Sequence, residues 1–284
     1  MNNLVALKNL NKSYGQTKAL SDINLNIEAG KIVGLIGPNG SGKTTLLRAI
    51  TGLIEYDGSI QVMGVEPKTS RANLMENTSV IHDISVLPPW MKIRDVVRFQ
   101  SGIQPAFNPE KCNKHIEKTS IKLDSKVKHL SKGMKTQLHL ALVLATDTQL
   151  LILDEPTHGL DILFRKELYS NVLEEYFDQT KSVILSTHQV EEVEHILTDV
   201  IFIKEGSVIL YEKAETLKNE YYQMITSEKH AEKARQLNPL TEQIFFGKHV
   251  FLIKGGDKEL LKNYGEISNP SIADIFVAVM GGVS

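Results

Sequence analysis

Residues 37–45, GPNGSGKTT, follow the apolar run KIVGLI and precede LLRAI. An apolar run, a glycine-rich loop and a second apolar run predict strand, loop and helix, the helix covering about Gly42 to Ile50. Gly37, Gly42, Lys43 and Thr44 have the spacing G-x-x-x-x-G-K-[ST] of a phosphate-binding loop. Glycines let the backbone wrap closely around phosphates, and the backbone N–H groups with the helix N-terminus attract the anion. Lys43 then reaches the β- and γ-phosphates, the Thr44 hydroxyl ligates Mg2+ and Thr45 adds a phosphate contact. Pro38, Asn39, Gly40 and Ser41 fill the loop between the spaced residues. The loop alone does not separate a kinase, a GTPase, a helicase and a transport ATPase.

The rest of the chain supplies context. Its 284 residues are 42% hydrophobic and 23% charged, enough for one large domain and a small one. The net charge of −2 gives no bias towards nucleic acid. The one cysteine, Cys112, excludes an intrachain disulfide, which fits a reducing compartment. We read it as a bystander in a Lys-rich helix. No run approaches the ~20 apolar residues that span a bilayer, so any membrane role needs a partner.

Strand signals appear at LVALKNL, INLNI, KIVGLIG, SIQVMG and TSVIHD. From about Val86 to Asp147 helical stretches such as KIRDVVRFQSG and NPEKCNKHIEKTSI replace them, which predicts a helical insertion. The strand QLLILDE, a helix over about Leu163 to Phe177, the strand SVILS, a helix over QVEEVEHIL and a hairpin turning at Glu205-Gly206 follow. Strands alternating with helices predict an α/β core with a mostly parallel sheet and some antiparallel strands. We divide the chain into residues 1–213, the core with its insertion over about 86–147, and a small C-terminal α/β appendage, residues 214–284. In the tail SIADIFVAVMGG, Ile272, Ile275, Phe276 and Val279 share one helical face, the pattern of a helix docked on its own domain.

Two further sites carry chemistry. LLILDEP, residues 150–156, ends an apolar strand in two carboxylates. Asp154 can hold Mg2+, directly or through water, and Glu155 can polarise an attacking water. In LSKGMKTQLHLALVLA, residues 130–145, Ser131 and Gly133 lie at the mouth of an amphipathic helix, which makes either a plain helix cap or a second anion site. One chain needs one cradle for one triphosphate, so a second cradle predicts two subunits with ATP between them. His188, Glu191, Glu192 and His195 have helical spacing, but their order is not H-E-x-x-H. They read as an acidic helix face beside a separate histidine rather than a metal centre.

Together these stretches resemble the nucleotide-binding subunit of an ATP-binding cassette (ABC) transporter, over about Leu4 to Glu212. GPNGSGKTT is similar to the family's Walker A loop, LLILDE to Walker B, LSKGM to its signature, and HGLD to its D-loop. The tail SIADIFVAVMGG resembles the PSLEDVF-like ending of exporter-type cassettes. The resemblance implies an α/β ATPase core, a helical subdomain, and a head-to-tail dimer with two ATP molecules at the interface. It implies that Lys43, Thr44 and Asp154 bind phosphate and Mg2+, that Glu155 activates water, and that His188 senses the γ-phosphate. It places Ser131 and Gly133 on the other subunit's ATP, Tyr14 on adenine, and Asp161 as a link between the sites. The signature has Lys132 and Met134 where Gly and Gln are commonest. The position of the usual Q-loop glutamine is Asp83, which can reach Mg2+ or its water but cannot donate a hydrogen bond when ionised.

The expected function is therefore an ATP-hydrolysing subunit, cofactors ATP and Mg2+, that powers a separate permease, in an exporter. It would dimerise with a second ABC ATPase subunit, identical or different, and lie on the inner face of the cell membrane through the permease. Trp90, in LPPWM, is either an interface anchor for that permease or a cover for the local core. Rival readings are a cytoplasmic ABC ATPase without a membrane partner, such as an iron–sulfur assembly scaffold, and a nucleic-acid- or ribosome-linked ABC protein. The neutral charge, the single cassette and the lack of a long coiled coil weaken the last.

Overall fold

The structure is a computed structural model and describes residues 3–82, 87–157, 160–178 and 180–281. The strands in chain order are β1 (Asn3–Tyr14), β2 (Thr17–Glu28), β3 (Ile32–Ile36), β4 (Asp57–Val62), β5 (Thr78–Ile81), β6 (Leu150–Asp154), β7 (Ser182–Thr187), β8 (Asp199–Lys204), β9 (Ser207–Lys213), β10 (Tyr221–Ser227), β11 (Thr241–Phe245), β12 (Lys248–Lys254) and β13 (Glu266–Ser268). The helices are α1 (Lys43–Ile50), α2 (Arg71–Glu76), α3 (Ile93–Ile103), α4 (Pro109–Glu117), α5 (Lys132–Leu144), α6 (Ile162–Asn171), α7 (Ala214–Glu220), α8 (Glu228–Arg235), α9 (Lys258–Leu261) and α10 (Ile272–Val279).

The central sheet has the order β5-β6-β7-β3-β8-β9. Its pairs are parallel except β8 with β9, which form the hairpin expected at Glu205-Gly206. Its strands are apolar on both faces, as a covered parallel sheet requires. Val33, Leu35, Ile152, Ile184 and Ile201 point to one face, where they pack with Leu46 and Ile50 of α1 and with the sheet β2-β1-β4. Ile36, Leu151, Leu153, Val183, Leu185 and Phe202 point to the other, against α5, α6 and α10. The period-2 side-chain alternation of strands therefore gives two cores from one sheet.

From Leu87 to β6 the chain is mainly helical, with a core of its own around Ile93, Val96, Phe107, Cys112, Ile116 and Leu138. Cys112 is fully buried there, and burial pushes its thiol up to about 12. After α7 the chain builds a second sheet, β11-β12-β10-β13, with α8 on one side. The last helix returns to the main core: Ile272 and Ile275 of α10 are buried in it, and the Phe276 ring meets Phe202 edge-on at 5.2 Å. Ser271 and Asp274 close a capping box at its start.

Two helices differ from the reading of the sequence. Over 189–197 the chain forms only a short 3-10 turn, Val190–Glu192, followed by further turns. Val190, Val193, Ile196 and Leu197 are all buried, while Val193 N–H donates to the Val190 carbonyl at 3.0 Å and Ile196 N–H to that of Val193 at 2.9 Å, the three-residue spacing of a tighter turn. The helix expected over 163–177 is α-helical to Asn171 and then widens into a π-turn, Val172–Tyr176, closed by Phe177 N–H donating to the Val172 carbonyl at 2.9 Å. The wider turn accompanies the anchoring of Tyr176, whose hydroxyl donates to the Thr148 carbonyl at 2.9 Å.

In the second sheet, the buried imidazole of His249 is held between two carboxylates. Its Nδ1 meets Glu242 Oε1 at 2.6 Å, its Nε2 meets Glu228, and Arg235 grips Glu242 with two bonds of 2.8 and 2.9 Å. Bonding to Glu228 and then Glu242 raises the His249 pKa above its ordinary 6.5. Arg235 first, then His249, holds Glu242 down at about 2, from an ordinary 4.5. The His249 contribution to stability is complete below pH 6.5 and drains away as pH rises through the raised value. The Glu242 contribution is complete above pH 4.5 and drains as pH falls towards 2. We therefore expect the unfolding temperature of the wild-type chain to fall more steeply above pH 6.5 than that of His249→Gln. Parallel curves for the two proteins in thermal unfolding would contradict this.

Candidate functional site

Three adjacent strands, β6, β7 and β3, end side by side, and their C-terminal ends carry the site. This is the edge of a parallel sheet where loops can converge on a ligand. From β3 the chain enters the glycine loop. A Cβ on Gly37 would lie 2.5 Å from both the Ile203 carbonyl and Ser41 Oγ, so the loop closes tightly on the sheet. Gly40 and Gly42 have φ of +80° and +109°, which favour glycine. The Ser41 hydroxyl is buried without a partner among the described residues. Lys43 is buried at the start of α1, and its Nζ donates to the carbonyls of Gly37 at 2.8 Å and Pro38 at 3.2 Å.

From β6 come the two carboxylates. Asp154 is buried, and its Oδ1 accepts from Thr44 Oγ1 at 3.0 Å and from Ser186 Oγ of β7 at 2.8 Å. Successive residues of a strand face opposite sides, yet both acids reach the site. The reason is a break in the backbone: Glu155 has φ of +48°, in the left-handed region. Its N–H donates to Ser186 Oγ at 3.1 Å, which fixes the turn. The Glu155 carboxylate then lies 3.3 Å from Lys43 Nζ and 2.8 Å from His188 Nδ1, just past the end of β7.

A cleft of about 390 Å³ opens over these groups, lined by Asn39, Gly40, Gly42, Lys43, Thr44, Thr45, Glu155 and His188, with Thr17, Lys18 and Ala19 at its side. The donor set suits a phosphate chain: a buried ammonium, a helix N-terminus and a loop that needs glycine at 37, 40 and 42. It also suits Mg2+, which prefers a few oxygen ligands and retains water, here the Thr44 hydroxyl and the Asp154 carboxylate.

Other expected residues lie elsewhere. Tyr14, 49% exposed at the end of β1, does not line the cleft. Ser131 caps α5 by accepting from Met134 N–H at 3.2 Å, and Gly133 sits in its first turn; neither lines the cleft. Asp161 caps α6, accepting from Phe164 N–H at 2.9 Å, and is exposed. Asp83, and His158 and Gly159 of HGLD, lie outside the described residues. Of the four residues weighed as a metal centre, His188 binds Glu155 and Glu192 binds Arg165, while Glu191 and His195 line a different cleft.

A larger groove, about 690 Å³, runs between the main domain and the helical insertion, with Leu53, Arg71, Leu87, Gln100, Ile103 and His139 among its walls. His139 is buried and its pKa falls to about 4 through burial, with His82 adding to the fall. Burial also lowers His82, against an opposing pull from Asp154. Trp90, at 67% exposure, stands on the surface, which removes the reading that it covers the local core. Its loop is tied to the insertion by Val127 N–H donating to the Met91 carbonyl at 3.0 Å and Lys128 N–H to that of Pro89 at 2.9 Å.

The ABC transporter family profile matches residues 20–158. The lantibiotic transport ATP-binding protein SrtF of Streptococcus pyogenes is 35% identical over 240 residues, 80% of this chain and 99% of that protein. The taurine import ATP-binding protein TauB of Escherichia coli is 32% identical over 212 residues, 72% of this chain and 80% of that one. Among solved structures, the dimeric post-hydrolysis cassette MJ0796 bound to ADP and Pi is similar with a TM-score of 0.63 and 25% identity, over 74% of this chain and 98% of that one.

The tight closure at Gly37 makes a direct prediction. Gly37→Ala must displace backbone, costing about 1–3 kcal/mol as overpacked sites do, and should also weaken ATP binding. Denaturant unfolding and nucleotide titration check both; an unaltered variant would show that the loop has room the geometry denies it.

Proposed function

The chain belongs to the ATP-binding proteins of ABC transporters, and on that premise we propose that it hydrolyses ATP with Mg2+ to drive a separate permease in export. The observation that carries hydrolysis is the placing of the Glu155 carboxylate beside both Lys43 and His188. Lys43 binds the β- and γ-phosphates and offsets their charge. Thr44 and Asp154 hold Mg2+, which when bound neutralises charge on the phosphates. Glu155 orients the attacking water and takes its proton, and His188 holds Glu155 and contacts the γ-phosphate.

Ser131 and Gly133 serve a second copy's ATP, or that of a related subunit. They open a helix away from the Lys43 cleft of their own chain, and a helix N-terminus suits a partner's phosphate. Tyr14 stacks on adenine, and Asp161 meets the partner subunit. Export is read from the exporter-like ending SIADIF, which forms the docked helix α10. The groove between main domain and insertion seats a segment of the permease, with exposed Trp90 as an anchor on the adjoining loop. Through the permease the subunit sits at the inner face of the membrane; no helix among the described residues is long and apolar enough to cross it.

Glu155→Gln keeps the shape of the side chain but cannot take a proton. It should bind ATP, form an ATP-dependent dimer by light scattering, and lose at least ~100-fold in turnover, the lower range for a general base. Wild-type turnover in that variant would remove Glu155 from the role. Trp90→Ala should reduce the membrane protein that co-purifies with the tagged chain from detergent-solubilised membranes. Undiminished recovery would remove Trp90 as an anchor.

A further inference from the structure

Arg165 belongs to none of the motifs, yet its guanidinium joins two segments of the site and, through Glu192, reaches a third. Its Nε donates to the Leu160 carbonyl at 2.8 Å, immediately before Asp161. Its Nη1 donates to Gln189 Oε1 at 2.7 Å, immediately after His188, and to the Glu192 carboxylate. The other oxygen of Glu192 accepts from Thr157 Oγ1 at 3.3 Å, two residues after Glu155. Arg165 lines no part of the Lys43 cleft, so it does not act on a nucleotide there directly.

Magnitudes separate a positioning role from a plain stabilising one. The Arg165 and Glu192 side chains are 21% and 25% exposed, so their ion pair is partly screened and modest in worth. The geometry is more demanding than the energy. One planar fork meets acceptors on two segments, and a lysine ammonium cannot reproduce those directions from one point charge. We propose that Arg165, held by Glu192, is a positioning residue for hydrolysis: it sets the segment carrying His188 against the turn carrying Glu155 and ties both to the stretch carrying Asp161. This rests on the reading of Glu155 and His188 as the hydrolytic pair.

The test is steady-state ATPase of the full-length chain, with thermal unfolding of each variant. Arg165→Lys should lower kcat by ~10- to ~100-fold, the scale on which small misplacements of reacting groups act, with KM within about twofold. Gln189→Leu cuts one arm and should lower kcat with little change in unfolding temperature. The double variant Arg165→Met/Glu192→Gln removes both charges together; it should recover stability relative to Arg165→Met alone without recovering kcat. Wild-type kcat in Arg165→Lys, or a kcat that follows unfolding temperature across the set, would overturn the proposal. Full turnover in Glu155→Gln would instead overturn the underlying reading, whatever the Arg165 variants do.

Discussion

One oxygen atom, Asp154 Oδ1, organises the site. It accepts hydrogen bonds from Thr44 at the start of α1 and from Ser186 on β7, and so binds together the ends of three neighbouring strands. A buried carboxylate must be compensated by such donors, because an isolated buried charge is very costly. The same Ser186 hydroxyl accepts from the Glu155 N–H and fixes the left-handed turn. That turn sends Glu155 towards Lys43 and His188. The position of each reacting group thus follows from the satisfaction of one buried acid.

The motifs are legible in the sequence because each is a local pattern with a local cause. The glycine loop, the strand ending in Asp154 and Glu155, and the hairpin at Glu205-Gly206 all depend on residues close together in the chain. Arg165 is not legible there, since its partners at positions 160, 189 and 192 come together only when β6 and β7 pair. The turns over 189–197 read as a helix because periods of about 3 and 3.6 residues barely separate over so short a stretch. The return of α10 to the main core is visible in the apolar face of SIADIFVAVMGG, but nothing in that pattern singles out Phe202 as its contact.

The site and the second cradle stand apart within one chain. Ser131 and Gly133 open α5 from the helical insertion, whereas Lys43 and Glu155 lie at the ends of the central strands. α5 belongs to both cores, with Leu138, Ala141 and Leu142 in that of the insertion and Leu140, Val143 and Leu144 against the central sheet, so it joins the two. The loop of Trp90 and one wall of the groove lie on the insertion side of that helix. On the proposed function, this links the arrival of a second subunit's cradle to the permease.

The most direct measurement is cysteine cross-linking between two differently substituted copies in a Cys112→Ala background, one carrying Ser131→Cys and the other Asn39→Cys, with Glu155→Gln in both to retain ATP. A head-to-tail pair of these chains gives a cross-linked product with ATP and Mg2+ and little without them. A cross-link whose yield does not depend on ATP and Mg2+ would contradict that arrangement.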